Sequence, residues 1–172
     1  MWLNIIVAFS NFIGLPGVFN YYNKGLNIEA IVVFFSIVSS FFYHLFENHK
    51  HNMTGIGYFD NPKAQKILIN IDRIGAVIAS IITLKRIYLL QIPLNNIIWI
   101  GIFALISEVI PEIVSGLYSS GKHDSIIPMR IRLSFNPYGY KMNRQLEHII
   151  YVPFHCCWHF SVFYISNLVS LY

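Results

Sequence analysis

The sequence predicts an all-α fold: a polytopic transmembrane helix bundle with about five clear spans, forming one domain over residues 1–172. Three observations carry that expectation. Hydrophobic residues make up 55% of the chain and charged residues only 12%, on the apolar side of an ordinary soluble domain. Several apolar runs approach the roughly 20 residues needed to cross about 30 Å of hydrocarbon. The basic residues stand in the connections between these runs, which suits cytoplasmic loops and anionic headgroups, so the formal charge of +4 is not read as a nucleic-acid-binding stripe. An aromatic content of 16% fits rings placed near membrane interfaces.

The apolar runs cover residues 3–22, 28–46, 66–90, 94–118 and 147–170. The first lacks the basic start and the small-x-small cleavage site of a signal peptide, so it is expected to remain as a helix. Asn23-Lys24-Gly25 ends it in a tight connection, and the second run leads into a polar loop from Asn48 to Pro62 containing Gly, Asn and Pro. Between the fourth and fifth runs, Ser119 to Gln145 carries Pro128, Pro137 and Gly139 together with Lys122, Arg130, Arg132, Lys141 and Arg144, the composition of a long loop or an interfacial segment. Five spans place Lys50, Lys63, Lys66 and that basic cluster on one side, against Lys24, Lys85 and Arg86 on the other. The positive-inside rule then puts the first group and the N-terminus in the cytoplasm. The two cysteines, Cys156 and Cys157, are adjacent within an apolar run. They can build neither a disulfide framework nor a thiolate zinc knuckle, and are expected to pack as small apolar residues.

Ionisable residues inside the runs are costly to bury in lipid, and function is their default explanation. Ser40 and His44 stand at i and i+4 on one helix face, and His155 and His159 repeat that spacing with two imidazoles. A histidine pair one turn apart can address a single ion. A third histidine from another helix completes a three-ligand site with an open position, the arrangement that catalytic zinc requires. Five alternating spans also bring the end of the second run and the beginnings of the third and fifth to one membrane side, so His44, Asp72 and His155 share a leaflet. Each residue also has a simpler role open to it. A histidine near a helix end serves as an interfacial or helix-bonding group, Ser40 can bond its own backbone, and Asp72 can cap a helix start. His49 and His51 read as solvated, and His148 as a boundary residue. Glu108 and Glu112, either side of Pro111, suggest a kink, a water-lined face or a second metal site.

Taken in order, Ser40-x-x-x-His44, Asp72 and His155-x-x-x-His159 resemble the pattern of the CREST superfamily of membrane hydrolases, which includes alkaline ceramidases and adiponectin receptors. The likeness is greatest to the myomaker-like branch with its GPI-cleaving phospholipase relatives. It shows in Ser10-Asn11 with Leu15-Pro16, in Glu29-Ala30 leading into Ser40-Phe-Phe-Tyr-His44, in Asp72-Arg-Ile-Gly75 and in His155-Cys-Cys-Trp-His159. It covers roughly the first 85 residues and, less closely, the last 30. The resemblance implies a zinc ion held by His44, His155 and His159, with Asp72 bonding or deprotonating the attacking water and Ser40 steadying the site or the oxyanion. It also implies a membrane-lipid substrate, entering sideways and cut at an amide or ester bond. Superfamily members usually have seven helices. The roughly 60 residues between the third run and the last are too few for three full spans at about 20 residues each, so a shortened version of that fold is expected. Two other readings stand beside the hydrolase: a non-catalytic protein of membrane remodelling, fusion or signalling whose metal staples helices together, and a transporter or channel using Glu108, Glu112 and His148.

Overall fold

The structure, a computed structural model, describes residues 2–46, 62–118 and 144–172. Every regular element among them is helical. They are α1 (Trp2–Ser10), a 3-10 turn (Asn11–Gly14), α2 (Leu15–Asn23), α3 (Asn27–Phe46), α4 (Pro62–Leu90), α5 (Asn95–Tyr118) and α6 (Arg144–Leu171). The all-α bundle expected from the apolar runs is therefore present. Asn4–Asn23, Asn27–Phe46 and Lys66–Leu90 are long and apolar enough to cross a membrane, and Ile97–Ile110 is a shorter apolar stretch within α5. Residues 119–143 and the loop histidines His49 and His51 lie outside the described residues. So do Lys50, Lys122, Arg130, Arg132 and Lys141, on which the orientation argument turns in part.

Two of the connections are helix stops of one kind. At the end of α2, Gly25 N–H donates to Tyr22 O and Leu26 N–H to Tyr21 O, each at 2.9 Å, while Gly25 takes φ +72°. This reversal satisfies the last carbonyls and calls for glycine at the left-handed position. The end of α4 repeats it with Gln91 at φ 51° and Ile92 N–H donating to Ile87 O at 3.1 Å. Pro93 follows and prevents the helix from resuming.

The first run was expected to be one helix, and the structure breaks it. Pro16 has no N–H to offer Phe12 O, so Leu15 N–H bonds that carbonyl in the tighter 3-10 manner. One residue further on, the side chain of Asn167 enters the helix ladder. Its Nδ2 donates to Ile13 O at 2.9 Å, and its Oδ1 accepts from Gly17 N–H at 2.8 Å. Those are the two backbone groups that would otherwise bond each other, so a carboxamide from α6 replaces one rung of the first helix. Gly14 and Gly17 let the chains approach this closely. A Cβ on Gly14 would lie 2.5 Å from Phe163 Cδ1, and one on Gly17 would lie 2.5 Å from Asn167 Oδ1. The volume-conserving change Asn167→Leu is therefore expected to cost about 2–4 kcal/mol, because two backbone groups in apolar surroundings lose their partners. Thermal unfolding of the detergent-purified protein measures it, and an unchanged midpoint would mean that the backbone closes its own bond.

Packing places the broken α1–α2 rod, α3 and α6 against one another. Tyr21, Ala30, Val33, Ile37 and Phe163 form the largest buried cluster among them. α4 packs on α3 and α5 on α6, but among the described residues α4 and α5 make no extended contact with each other. Gly75 brings α4 close to α3: a Cβ there would stand 2.9 Å from Ser39 Oγ and 3.3 Å from Ser36 Cα, the small-residue contact that lets two helices touch. The outward face of α4 is apolar, with Ile67, Ile74, Val77, Ile81 and Leu84 all exposed, and only 6% of its apolar window is buried. The polar residues of α6 turn inward instead, with His155, His159, Ser161, Ser166 and Ser170 all buried. An apolar exterior around a partly polar interior is the arrangement suited to lipid as solvent.

Candidate metal centre

His44 lies in the last turn of α3. The carbonyls of that turn have no partner within the helix, and Asn4 Nδ2 of α1 donates to His44 O at 3.0 Å, fixing the backbone that carries the ring. His155 and His159 project one turn apart from α6, and all three histidines are buried. Their ring centroids lie 4.5–5.1 Å apart. Their ligand atoms lie within 4.8 Å of one another, so the three could hold a metal ion. His155 Nε2 and His44 Nε2 are 3.0 Å apart, close to the roughly 3.3 Å that separates tetrahedral ligands held about 2.0–2.1 Å from zinc.

The surrounding hydrogen bonds decide which nitrogens face inward. Ser10 Oγ donates its single proton to Val7 O at 2.6 Å, and it also lies 2.6 Å from His159 Nδ1. With its proton committed, the hydroxyl can only accept, so His159 Nδ1 carries a hydrogen and Nε2 presents a lone pair to the cluster. On His155, Nδ1 lies 3.3 Å from Glu108 Oε2. A carboxylate accepts there, which again leaves Nε2 unprotonated. These two nitrogens lie beside His44 Nε2, 3.0 Å from His155 Nε2, and Ser40 Oγ, 3.4 Å from His159 Nε2, and a cation among the three rings could take a lone pair from each. The donor set therefore fits a metal ion.

Ser40 Oγ stands 3.4 Å from His159 Nε2. Asp72 lines the same cavity, on the facing helix α4. It lies well inside α4 rather than at its start, because the helix begins at Pro62, where a proline's missing N–H costs nothing. The helix-cap role open to Asp72 in the sequence is thereby removed. The cavity holds about 670 Å³ and is lined chiefly by apolar side chains of α3, α4, α5 and α6. Ile87, Leu94, Ile97 and Ile165 contribute to its apolar lining, and Ser36, Ser80, Thr83 and Ser166 line it as well as the histidines. Cys156 packs on Val7, Tyr151 and Val152, and both cysteines are free thiols.

Two partners of the cluster were not legible in the chain. Glu108 stood out as a carboxylate in an apolar run, but nothing local pointed it at His155. In the structure it pairs with that ring, while the side chain of Glu112, its expected partner in a second metal site, lies outside the described residues. Ser10 is 149 residues from His159 in sequence, and a serine in an apolar run carries no signal of so distant a partner.

Residues 1–107 match the profile of a family described as Protein of unknown function (DUF3522). That span includes Ser40, His44 and Asp72, and it ends before α6. An uncharacterized protein of Acanthamoeba polyphaga mimivirus is 30% identical over 176 residues, covering 96% of this chain and 98% of its own. No solved structure matches the chain.

Proposed function

The chain belongs to this DUF3522 family, and from the geometry of the site we propose that it is a multi-pass integral membrane protein acting as a zinc-dependent lipid hydrolase. Its substrate is the amide or ester bond of a membrane lipid. The observation that carries the reading is the inward-facing histidine triad in the wall of a chiefly apolar cavity that Ser40 and Asp72 also line. The resemblance of these five residues to the CREST pattern supports the same reading. Zinc bound to the three imidazoles would supply Lewis acidity toward a carbonyl and a water whose pKa falls to about 7. His44, His155 and His159 would hold it, and the remaining chemistry belongs to side chains of this protein.

Asp72 acts as the general base. Its carboxylate takes a proton from the attacking water and returns it to the departing amine or alkoxide. Ser40, beside His159, donates its hydroxyl to the oxygen on which negative charge develops. The chiefly apolar lining of the cavity accepts hydrocarbon, and a volume of about 670 Å³ lies within the range usual for ligand sites. Because α4 and α5 make no extended contact among the described residues, a lipid can enter between them from the side without leaving the bilayer. An apolar lining favours such a chain over an ion in transit.

The test is hydrolysis in reconstituted vesicles containing a panel of lipid amides and esters. Fatty-acid release from one class is expected, abolished by a zinc chelator and restored by added zinc. Zinc-loaded protein that releases nothing from any of these lipids would leave the metal as a staple between α3 and α6 in a non-catalytic protein.

A further inference from the structure

The geometry points to Glu108 as a positioning residue of the metal centre. Its carboxylate accepts the Nδ1 hydrogen of His155, selects the tautomer whose Nε2 faces the ion, and offsets part of the ion's charge. This inference rests on the metal reading above and goes beyond it, since none of the five residues of the sequence pattern supplies the function.

Three observations support it independently of that pattern. Glu108 sits in the apolar stretch Ile97–Ile110, where a carboxylate is costly unless something in the interior pairs with it. What it meets is not water alone: Oε2 lies 3.3 Å from His155 Nδ1 across the α5–α6 contact, with the carboxylate side chain only 36% exposed. His159, one turn further along α6, is held in the same manner, its Nδ1 facing Ser10 Oγ at 2.6 Å. Outer acceptors thus lock two of the three rings, one a neutral hydroxyl and the other an anion. The anionic partner is the one that makes an imidazole a stronger donor to a metal.

Charge leads to the same residue. A divalent ion held by three neutral imidazoles in a poorly polar interior is stabilised only when negative groups lie nearby. Among the described residues, the carboxylates lining this cavity are Asp72 and Glu108. They belong to different helices, α4 and α5, so the base and the orienting acceptor are supplied from separate elements. A merely structural role for Glu108, tying α5 to α6 through a charged His155, makes a different prediction, because it would act on the metal-free fold and leave the metal untouched.

The experiment measures zinc affinity by competition with a chromogenic chelator, and metal-free thermal stability, for purified wild type, Glu108→Gln, Glu108→Ala and, as a control on the cavity wall of α4, Ser80→Ala. Glu108→Ala is expected to bind zinc 10- to 100-fold more weakly. Glu108→Gln, whose amide oxygen can still accept from Nδ1, should lose less. The cobalt-substituted protein should show a shifted visible band in Glu108→Ala and none in Ser80→Ala. Unchanged zinc affinity in both Glu108 variants, with lowered metal-free stability, would overturn the inference and leave a helix tie. If Glu108→Ala does not yield monodisperse protein, the Glu108→Gln affinity decides. Wild type that is folded but binds no zinc would instead sink the metal reading itself, and this inference with it.

Discussion

Replacing His155 with alanine is expected to reduce bound zinc from about one ion per chain to a trace. Two imidazoles would remain, His44 from α3 and His159 from α6, in a space that needs three nitrogens to enclose an ion with one open position. The loss should exceed the 10- to 100-fold that an outer partner costs, since a direct ligand is gone. His44→Ala must do the same, although it lies on a different helix and 111 residues away. Elemental analysis of carefully purified protein reads both variants against wild type. Zinc retained in both would show that the ion, if present, sits elsewhere, and the histidines would then be packing groups. Because the rings are buried against one another, the variants also need a monodisperse profile before their metal content is compared.

The second large effect concerns Asp72. Asp72→Asn keeps the shape and most hydrogen-bonding capacity of the side chain but removes its ability to accept a proton. Lipid hydrolysis is expected to fall by about 10²- to 10⁴-fold, the usual worth of a positioned general base, while zinc content stays at the wild-type level. The two readouts must separate. If zinc is lost together with activity, the carboxylate is a ligand or a fold determinant rather than a base. If activity survives, the proton goes to another group, and Glu108 is the next carboxylate on the cavity wall.

How far the site could be read from the sequence depended on how local its signals were. His155 and His159 repeat within one turn of one helix, and Ser40 and His44 do the same, so helical periodicity alone pairs them. Alternating spans placed His44 and His155 at one depth, and the structure places them side by side. Asp72 was found by depth, but its distance from a helix start was hidden because Pro62 to Lys66 is helical without being apolar. The break at Asn11–Gly14 was half visible: Pro16 announces that the ladder must adjust, whereas the carboxamide that repairs it arrives from position 167. Ser10 and Glu108 show the same limit, since a hydrogen bond between residues far apart leaves no periodicity in either segment. The expected shortening of a seven-helix fold turns on residues 119–143, which lie outside the described residues.

The Asn167 rung also sets an order on biosynthesis. Gly17 N–H and Ile13 C=O belong to the α1–α2 rod, and the side chain that joins them is on α6, which is synthesised later. At about 5–20 residues per second, the roughly 150 residues between them take on the order of ten seconds to synthesise. Throughout that interval the first helix must find other partners for those two groups, from water, from the insertion machinery or from its own straightened backbone. The final shape of the N-terminal rod is thus a late event, completed only when the C-terminal helix docks. Nascent chains stalled before residue 167 should hold that rod in a conformation the finished protein does not keep.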